Sequence, residues 1–309
     1  MRARIFRFAA IIGSVKRAMN PESAHWTDPV AYLRHALTQD QFTLYCQPIA
    51  ALSGAVVYPM AEVLIRLREE ETALLPPGDF LPVLEHYGMM PELDRWVVRE
   101  IVRRLSRGPE IARFCINLSR QTIADNAFPD FFADEIHASG VPADRVVFEI
   151  DENDAAALPS SARRMCAAVG SLGCGVLIDG FGRDGQSQLA CLTLPCVQFV
   201  KLHGSLTRHL ATDEAAVSRI LALLRLSADL GITAIAECVE DEEVLARLRA
   251  LKVRFAQGFG VCRPQSIDRV LELPAMRFVP RRSDDASLVP VQGLLDLRVN
   301  SVQEARWTS

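Results

Sequence analysis

The sequence predicts an α/β protein whose strands close into a single (β/α)8 barrel. From about residue 29, short β-branched runs alternate with helical stretches, and eight such runs occur along the chain. The length of 309 residues suits one barrel, which typically needs about 250 residues, with short extensions at its ends. Half of the residues are hydrophobic, which is sufficient for a large core and argues against general disorder.

The strands are predicted from runs that are rich in β-branched and aromatic residues. They cover residues 43–49, 56–66, 114–118, 146–150, 175–178, 199–201, 233–236 and 253–257. Apolar residues at helical spacing predict helices at 93–105, 160–172, 215–230 and 242–251. Only the first two strands lack a helix between them, and Ser53-Gly54 indicates a tight turn there. The barrel is therefore expected to begin with an antiparallel pair.

The barrel domain is assigned to residues 29–278, after an N-terminal extension (1–28) and before a flexible C-terminal tail (279–309). The extension has basic residues around a short apolar run, which indicates an amphipathic helix, with a signal peptide or membrane-surface helix as the alternative. No later window supplies the roughly 18 uninterrupted apolar residues that a spanning helix needs. We therefore expect no transmembrane segment.

Charge and cysteine content narrow the class of protein further. The net charge of −4 lacks the clustered excess of Lys and Arg that duplex nucleic acid requires, so no such partner is expected. The eight cysteines contain no CxxC pair and no zinc-like spacing. Buried thiols in a reducing compartment fit this pattern, which predicts a cytoplasmic location.

Polar residues recur at the downstream ends of the predicted strands. They are Glu62, Asn117, Glu149, Asp179, Lys201, Glu237 and Gln257. Any one of them is adequately explained as the start of a loop. Together they would meet at one face of a barrel, because the carboxyl ends of its strands converge there. Several acids in a shared mouth repel one another unless cations compensate.

Oxygen ligands without a His or Cys cluster favour Mg²⁺, Mn²⁺ or Ca²⁺ over zinc. Phosphodiester chemistry suits such a site, because metals can activate a water and neutralise phosphate oxygens. Lys201 would stabilise the transition state or position the water, and Arg66 could hold a phosphate through its planar fork.

The segment Glu62-Val63-Leu64-Ile65-Arg66 resembles the ExLxR signature of the EAL domain family, with Val63 in place of Ala. Similar matches follow in the family's order, from about residue 29 to 275. They are Gln47-Pro48-Ile49, Asn117-Leu118-Ser119, Phe148-Glu149-Ile150-Asp151-Glu152, Asp179-Gly180-Phe181-Gly182, Lys201, Ala236-Glu237-Cys238-Val239-Glu240 and Gln257-Gly258. The resemblance implies an EAL-type barrel.

Such domains linearise cyclic-di-GMP to pGpG with Mg²⁺ or Mn²⁺, so the resemblance implies a role for each matching position. The implied metal ligands are Glu62, Asn117, Glu149, Asp179 and Glu237. Lys201 would be the catalytic lysine, with Gln257 beside the water or metal. The implied contacts to the dinucleotide are Gln47, Leu64 and Arg66. Glu152 would brace the loop after the fifth predicted strand.

The chain departs from the family where a second aspartate would follow Asp179. Gly180 stands there, so a second metal would lose a principal ligand and the metal set is expected to be degenerate. The following segment, Arg183 to Gln188, also differs. Asp184 could replace the carboxylate after a loop rearrangement, or Arg183 could substitute for the metal's charge and hold phosphate.

Two smaller departures lie on later strands. His203 occupies an aspartate position, which removes one anionic neighbour of Lys201 and leaves a displaced lysine as one outcome. His203 itself is interpreted as a hydrogen-bonded residue of the rim rather than a ligand. Cys238 replaces a glycine and is interpreted as a small buried residue rather than a reactive thiol.

Three functions remain open. The preferred one is a cyclic-di-GMP receptor with impaired or absent hydrolysis, since losing a metal ligand damages catalysis more directly than binding. The second is an active or weak phosphodiesterase that uses Mg²⁺ or Mn²⁺ with one well-held metal. The third is a protein-interaction module that does not bind the nucleotide. The family often dimerises through the loop after the fifth strand, so a homodimer is a further expectation, as is a protein partner.

Overall fold

The computed structural model describes residues 26–52, 58–68, 74–107, 113–183 and 189–272. Residues 1–25, the turn predicted at Ser53-Gly54 and all residues after 272, including the tail predicted at 279–309, lie outside this part of the chain. The interpretations of these segments, and the domain limits 29 and 278, therefore stay predictions.

Ten strands occur in the described residues, eight of which form the barrel. In chain order they are β1 (Phe42–Ala51), β2 (Met60–Arg68), β3 (Leu74–Leu75), β4 (Arg113–Asn117), β5 (Val146–Asp151), β6 (Gly175–Phe181), β7 (Val197–Leu202), β8 (Thr233–Ala236), β9 (Phe255–Ala256) and β10 (Gln265–Ser266). β3 and β10 are two-residue strands that pair with the end of β2 and with the middle of β1, respectively.

The barrel closes through β1, which is antiparallel to both of its neighbours in the ring. It pairs with β2 from Phe42 opposite Leu67 to Ile49 opposite Met60, and with β9 at Ala50 opposite Ala256. β2 pairs parallel with β4, and parallel pairing continues through β5, β6, β7 and β8 to β9. The predicted (β/α)8 fold with an antiparallel first strand is confirmed.

Helices cover the outside of the barrel. They are α1 (Pro29–Thr38), α2 (Pro77–His86), α3 (Met90–Leu105), α4 (Arg120–Ala124), α5 (Phe128–Ser139), α6 (Glu152–Ala157), α7 (Pro159–Ser171), α8 (Gly204–Thr207), α9 (Glu214–Asp229), α10 (Glu242–Ala250) and α11 (Ile267–Leu271). Several begin at a side-chain cap, as where Asp213 accepts from Ala215 N and Asp241 accepts from Val244 N. Among the described helices, none is both long and apolar enough to cross a bilayer.

Several strands differ in their bounds from the predictions: β1 and β7 are longer, and β2 begins at Met60 rather than at residue 56. β6 continues to Phe181, three residues past the predicted end, because Phe181 still pairs with Leu202 of β7. β9 contains only Phe255 and Ala256, so the predicted strand 253–257 is too long at both ends. The extra length of β6 carries Asp179 and Gly180 on a paired strand rather than on a free loop.

The core has two layers because the side chains of a strand alternate between its two faces. Outward-facing residues such as Val63, Ile65 and Leu67 pack under the helices. Inward-facing residues fill the barrel and form a hydrophobic floor. These floor residues are Ile49, Met60, Cys115, Val147, Leu177, Phe199 and Ile235, with Phe255 packed against them.

Candidate functional site

A layer of polar side chains lies directly above the hydrophobic floor. Each floor residue on a parallel strand is followed, two positions downstream, by a residue that faces inward at the carboxyl end of that strand. In the antiparallel β1 the corresponding position is two residues upstream. The layer consists of Gln47, Glu62, Asn117, Glu149, Asp179, Lys201, Glu237 and Gln257. The structure thus brings together all seven polar residues at the strand ends, and Gln47 joins them.

Lys201 lies in the middle of the acids in this layer. Its Nζ forms an ion pair with Glu149, lies 3.1 Å from Glu62 Oε2 and 3.7 Å from Asp179 Oδ1. Its side chain is only 2% exposed. Burial alone would lower the pKa of Lys201, but the surrounding carboxylates raise it well above its ordinary value. The lysine is therefore held as a buried cation.

Glu62 is the most heavily bonded acid of the layer. It accepts hydrogen bonds from Gln257 Nε2 at 2.6 Å and from Asn117 Nδ2 at 3.2 Å. Burial raises its pKa, but Lys201 and these hydrogen bonds outweigh burial and lower the pKa below its usual value. Glu62 is thus an anion on β2 that residues from β4, β7 and the end of β9 hold in place.

Glu149, Asp179 and Glu237 experience the opposite balance. Burial and repulsion from neighbouring carboxylates raise the pKa of each, in the case of Glu237 to about 8. Glu237 is fixed by a 2.6 Å hydrogen bond from Gly204 N at the start of α8. One lysine therefore does not fully offset the negative charge that the fold concentrates here.

The donor set suits a divalent cation. Within the described residues, no hydrogen-bond donor reaches Glu149 Oε2, Asp179 Oδ1 or Gln257 Oε1, although all three atoms are buried. Oxygen atoms of this kind are the ligands that Mg²⁺ and Mn²⁺ prefer, and a cation would relieve the repulsion between the acids. No group of three His, Cys, Asp or Glu side chains in the described part of the chain is arranged around a common metal position. Lys201 Nζ is the cation that these carboxylates contact.

The side chain of Arg183 fills the space beside Gly180, the residue that follows Asp179. Gly180 has a φ of +73°, and a Cβ built on it would overlap Arg183 Nη2 and lie 3.2 Å from Arg183 Cζ. The same guanidinium donates a 2.9 Å hydrogen bond to Asp151 Oδ2. A side chain at position 180 and the observed Arg183 side chain therefore compete for one space. Asp184, the other candidate replacement, lies outside the described residues.

Lys201 keeps anionic neighbours although His203 occupies an aspartate position. The ring Nδ1 of His203 lies 3.0 Å from Ser205 Oγ and accepts from Ser205 N, so the imidazole caps α8. Lys201 contacts three carboxylates regardless, which is contrary to the displaced lysine considered from sequence. Cys238 is buried, as predicted, and accepts a hydrogen bond from Arg208 Nη2. Burial raises the pKa of its thiol to about 12.

The three residues that the resemblance assigns to the dinucleotide lie at two depths. Gln47 is 8% exposed and is bonded to Cys262 O and to Gln257, so it belongs to the polar layer. Leu64 and Arg66 follow Glu62 on the same face of β2, nearer the mouth. Arg66 lies over the Tyr45 ring at 5.5 Å, and burial lowers its pKa.

A cavity of about 240 Å³ adjoins the polar layer on the side of β2, α2 and α3. Leu64, Asn117, Asp151 and Asp179 are among the residues that line it. Apolar side chains from α2 and α3 form much of the remaining wall. This combination of an apolar wall with a few converging polar groups is typical of a small-molecule site.

Glu152 lies at the start of α6 and is 3% exposed. Its carbonyl oxygen accepts a hydrogen bond from Cys191 Sγ at 3.5 Å, which ties α6 to the 3-10 turn at Leu189–Thr193. That contact is compatible with the predicted bracing of the loop after β6, which stays a prediction.

Sequence reasoning missed two acids beside the site. Asp151 caps α6 and pairs with Arg183, and Asp94 of α3 accepts hydrogen bonds from Ser119 N and Oγ at 2.9 and 2.7 Å. The signal for Asp94 was an acid on the buried face of an amphipathic helix, between Leu93 and Val97. Asp151 lay inside the matched motif but had no role of its own there.

Replacing Gly258 by Ala is expected to destabilise the fold and displace Gln257. A Cβ on Gly258 would overlap the backbone of Val239, which cannot move aside as a side chain can. We expect a loss of about 1–3 kcal/mol or more in the free energy of unfolding, measured by urea titration. Gly231→Ala is the control, because its φ of +71° is also positive but nothing lies within 4 Å of its Cβ. An equal loss in both variants would contradict the close approach at Gly258.

The fold and this site define the class of protein as an α/β barrel with acids, amides and a lysine at its carboxyl-terminal mouth. The sequence matches the EAL domain over residues 30–264, and the chain belongs to that family.

All eight cysteines are free thiols, six of them buried, as the cysteine pattern predicted.

Several characterised proteins are similar to this chain. The cyclic di-GMP phosphodiesterases PdeB of Shewanella oneidensis and PdeF of Escherichia coli are each 27% identical to it, over 81% and 79% of its length. The matches span only 29% and 33% of those proteins, so this chain corresponds to about a third of each. The EAL domain of FimX from Pseudomonas aeruginosa, solved with c-di-GMP bound, is similar with a TM-score of 0.72 and 26% identity. That match covers 77% of this chain and 96% of the FimX chain.

Proposed function

We propose that this protein binds cyclic-di-GMP at the barrel mouth and hydrolyses it poorly or not at all. The observation that carries the proposal is the glycine at position 180 in place of an aspartate. Arg183 fills the space beside Gly180 and pairs with Asp151. Binding is supported by the FimX EAL domain with its bound c-di-GMP and by Leu64 and Arg66 near the mouth. Impaired hydrolysis is supported by the absence of a carboxylate at position 180.

The remaining donors would hold one divalent cation, Mg²⁺ or Mn²⁺. The residues proposed to hold it are Glu62, Asn117, Glu149, Asp179 and Glu237. When bound, such an ion polarises a phosphoryl oxygen and lowers the pKa of a water. Lys201 supplies a fixed positive charge at the base of the mouth, and Gln257 orients Glu62 through its 2.6 Å hydrogen bond. Gly180 supplies no ligand for a second metal, and the guanidinium of Arg183 occupies the space beside it.

A weak phosphodiesterase is the second candidate. It is favoured by the convergence of Lys201 with four acids, Asn117 and Gln257, since each of these catalytic positions is filled. Production of pGpG in Mn²⁺ would favour this candidate over a receptor. A homodimer, a protein partner and a cytoplasmic location remain predictions.

Binding is tested by the variant Arg66→Ala. Loss of the guanidinium removes a charge-assisted contact to phosphate and is expected to weaken binding of cyclic-di-GMP about 10- to 100-fold. Isothermal titration in Ca²⁺ measures the dissociation constant while limiting turnover. Arg247→Ala is the control, because Arg247 lies on α10 and pairs with Glu214 at the outer surface. Equal affinity of Arg66→Ala and the unaltered chain would remove the pocket assignment.

A further inference from the structure

Arg183 places a positive charge beside position 180. An aspartate at that position would place a negative charge there instead. The guanidinium of Arg183 lies against Gly180, immediately after Asp179, and is held by Asp151 Oδ2 at 2.9 Å. Only 16% of its side chain is exposed, and a guanidinium remains protonated at any physiological pH. Compared with a chain that has Asp at 180 and a neutral residue at 183, the local charge is two units more positive. That difference equals the charge of one divalent ion.

The location of Arg183 suits contact with a ligand in the cavity. Asp151 and Asp179 are paired neighbours on β5 and β6, and both line the cavity. Arg183 bonds to the first and follows the second by four residues, so it lies at the edge of the same space. The ion pair with Asp151 fixes the orientation of the planar group before any ligand arrives, which reduces the entropic cost of using it.

Arg183 and Arg66 belong to different parts of the ring of strands. Arg66 belongs to β2, and Arg183 follows β6, with β4 and β5 between these two strands in the sheet. A cyclic dinucleotide has two phosphodiester groups, each with one negative charge. Lys201 is less available to them because three carboxylates surround it. Two guanidinium groups, one on β2 and one directly after β6, match two phosphodiesters in number and in charge.

We propose that Arg183 holds one phosphodiester of the cyclic dinucleotide, so that the ligand binds without a divalent metal. The inference rests on the proposed function, because it presumes that cyclic-di-GMP is the ligand. In this arrangement the arginine takes over the charge-neutralising role of a second metal but cannot deliver an activated water. The combination of Gly180 and Arg183 would therefore preserve binding of the dinucleotide while removing its hydrolysis.

The test is isothermal titration of the full chain with cyclic-di-GMP in EDTA and, separately, in Ca²⁺. We expect the unaltered chain to bind in both buffers. Arg183→Thr should weaken binding by at least about tenfold in EDTA and by less in Ca²⁺, and Arg183→Lys should retain part of the affinity. Arg164→Ala is the matched control, since Arg164 bonds to Asn126 and Ser161 on the outer surface. Circular dichroism confirms that each variant is folded.

The outcomes separate the inference from the function on which it rests. Binding of the unaltered chain in Ca²⁺ but not in EDTA would overturn the role of Arg183, even if Arg183→Thr failed to fold. Equal affinity of Arg183→Thr and the unaltered chain in EDTA would overturn it as well. Absence of binding in both buffers would overturn the proposed function itself.

Discussion

Gly180→Asp alone is expected to leave hydrolysis of cyclic-di-GMP without a gain, whereas Gly180→Asp combined with Arg183→Thr should raise it. In the single variant the new side chain meets Arg183 Nη2 and lies close to Asp151, so the carboxylate would pair with the guanidinium. Removing the arginine frees that carboxylate to serve as a metal ligand. We expect the double variant to gain roughly 10- to 100-fold in the rate of pGpG formation in Mn²⁺.

The backbone should accept this change, because Asp and Asn are the residues other than glycine that most readily adopt a positive φ such as the +73° of Gly180. Gly180→Asn with Arg183→Thr is the matched control: it has the same shape and a neutral amide. A gain in the single Gly180→Asp variant would show that Arg183 moves aside freely. No gain in the double variant would mean that the altered loop or His203, rather than the missing carboxylate, limits catalysis.

Lys201→Met should cause a large loss of stability in the absence of metal. It removes the cation that contacts Glu62, Glu149 and Asp179 and leaves these acids buried without compensation. Removing one partner of a buried ion pair typically costs about 3–5 kcal/mol. In a domain of this size each kcal/mol lowers Tm by about 2–4 °C, which a thermal melt in EDTA measures.

Two further variants isolate the electrostatic cause. Lys201→Met with Glu149→Gln removes one carboxylate together with the lysine and should recover part of the loss. Lys252→Met is the surface control, because Lys252 is exposed after α10 and its loss should matter little. Mn²⁺ should raise the Tm of Lys201→Met more than that of the unaltered chain, since a cation can then take the place of the ammonium. A Tm of Lys201→Met equal to that of the unaltered chain would contradict the buried network.

The barrel and its polar layer were predictable because both follow from alternation along strands. β-branched runs located the strands, and a polar residue at each carboxyl end predicted a shared mouth once the strands were closed in a ring. The hydrophobic floor explains why these positions coincide in depth: Ile235 and Glu237, for example, are two residues apart on the same face. The motif also located Gly180 as the position without a carboxylate.

Other contacts could not be predicted, because they join residues that are far apart in the sequence or depend on the backbone conformation of a loop. Gln47 and Cys262 are 215 positions apart, and their hydrogen bond forms because β1 pairs with β9 and β10, which flank Cys262 in the sequence. The placement of Arg183 against Gly180 depends on positive φ angles at Gly180 and Gly182, which turn the chain back toward Asp151. The sequence therefore left Arg183 and Asp184 as alternatives, and only the folded geometry brings Arg183 to that space.

The most direct test of a receptor with impaired hydrolysis is chromatography of cyclic-di-GMP after incubation with the protein in Mn²⁺. The protein is kept in excess over the ligand and above the dissociation constant measured by titration, so that binding does not limit the reaction. The account predicts that the dinucleotide is recovered intact while bound. Rapid and complete conversion to pGpG in a single turnover would contradict it.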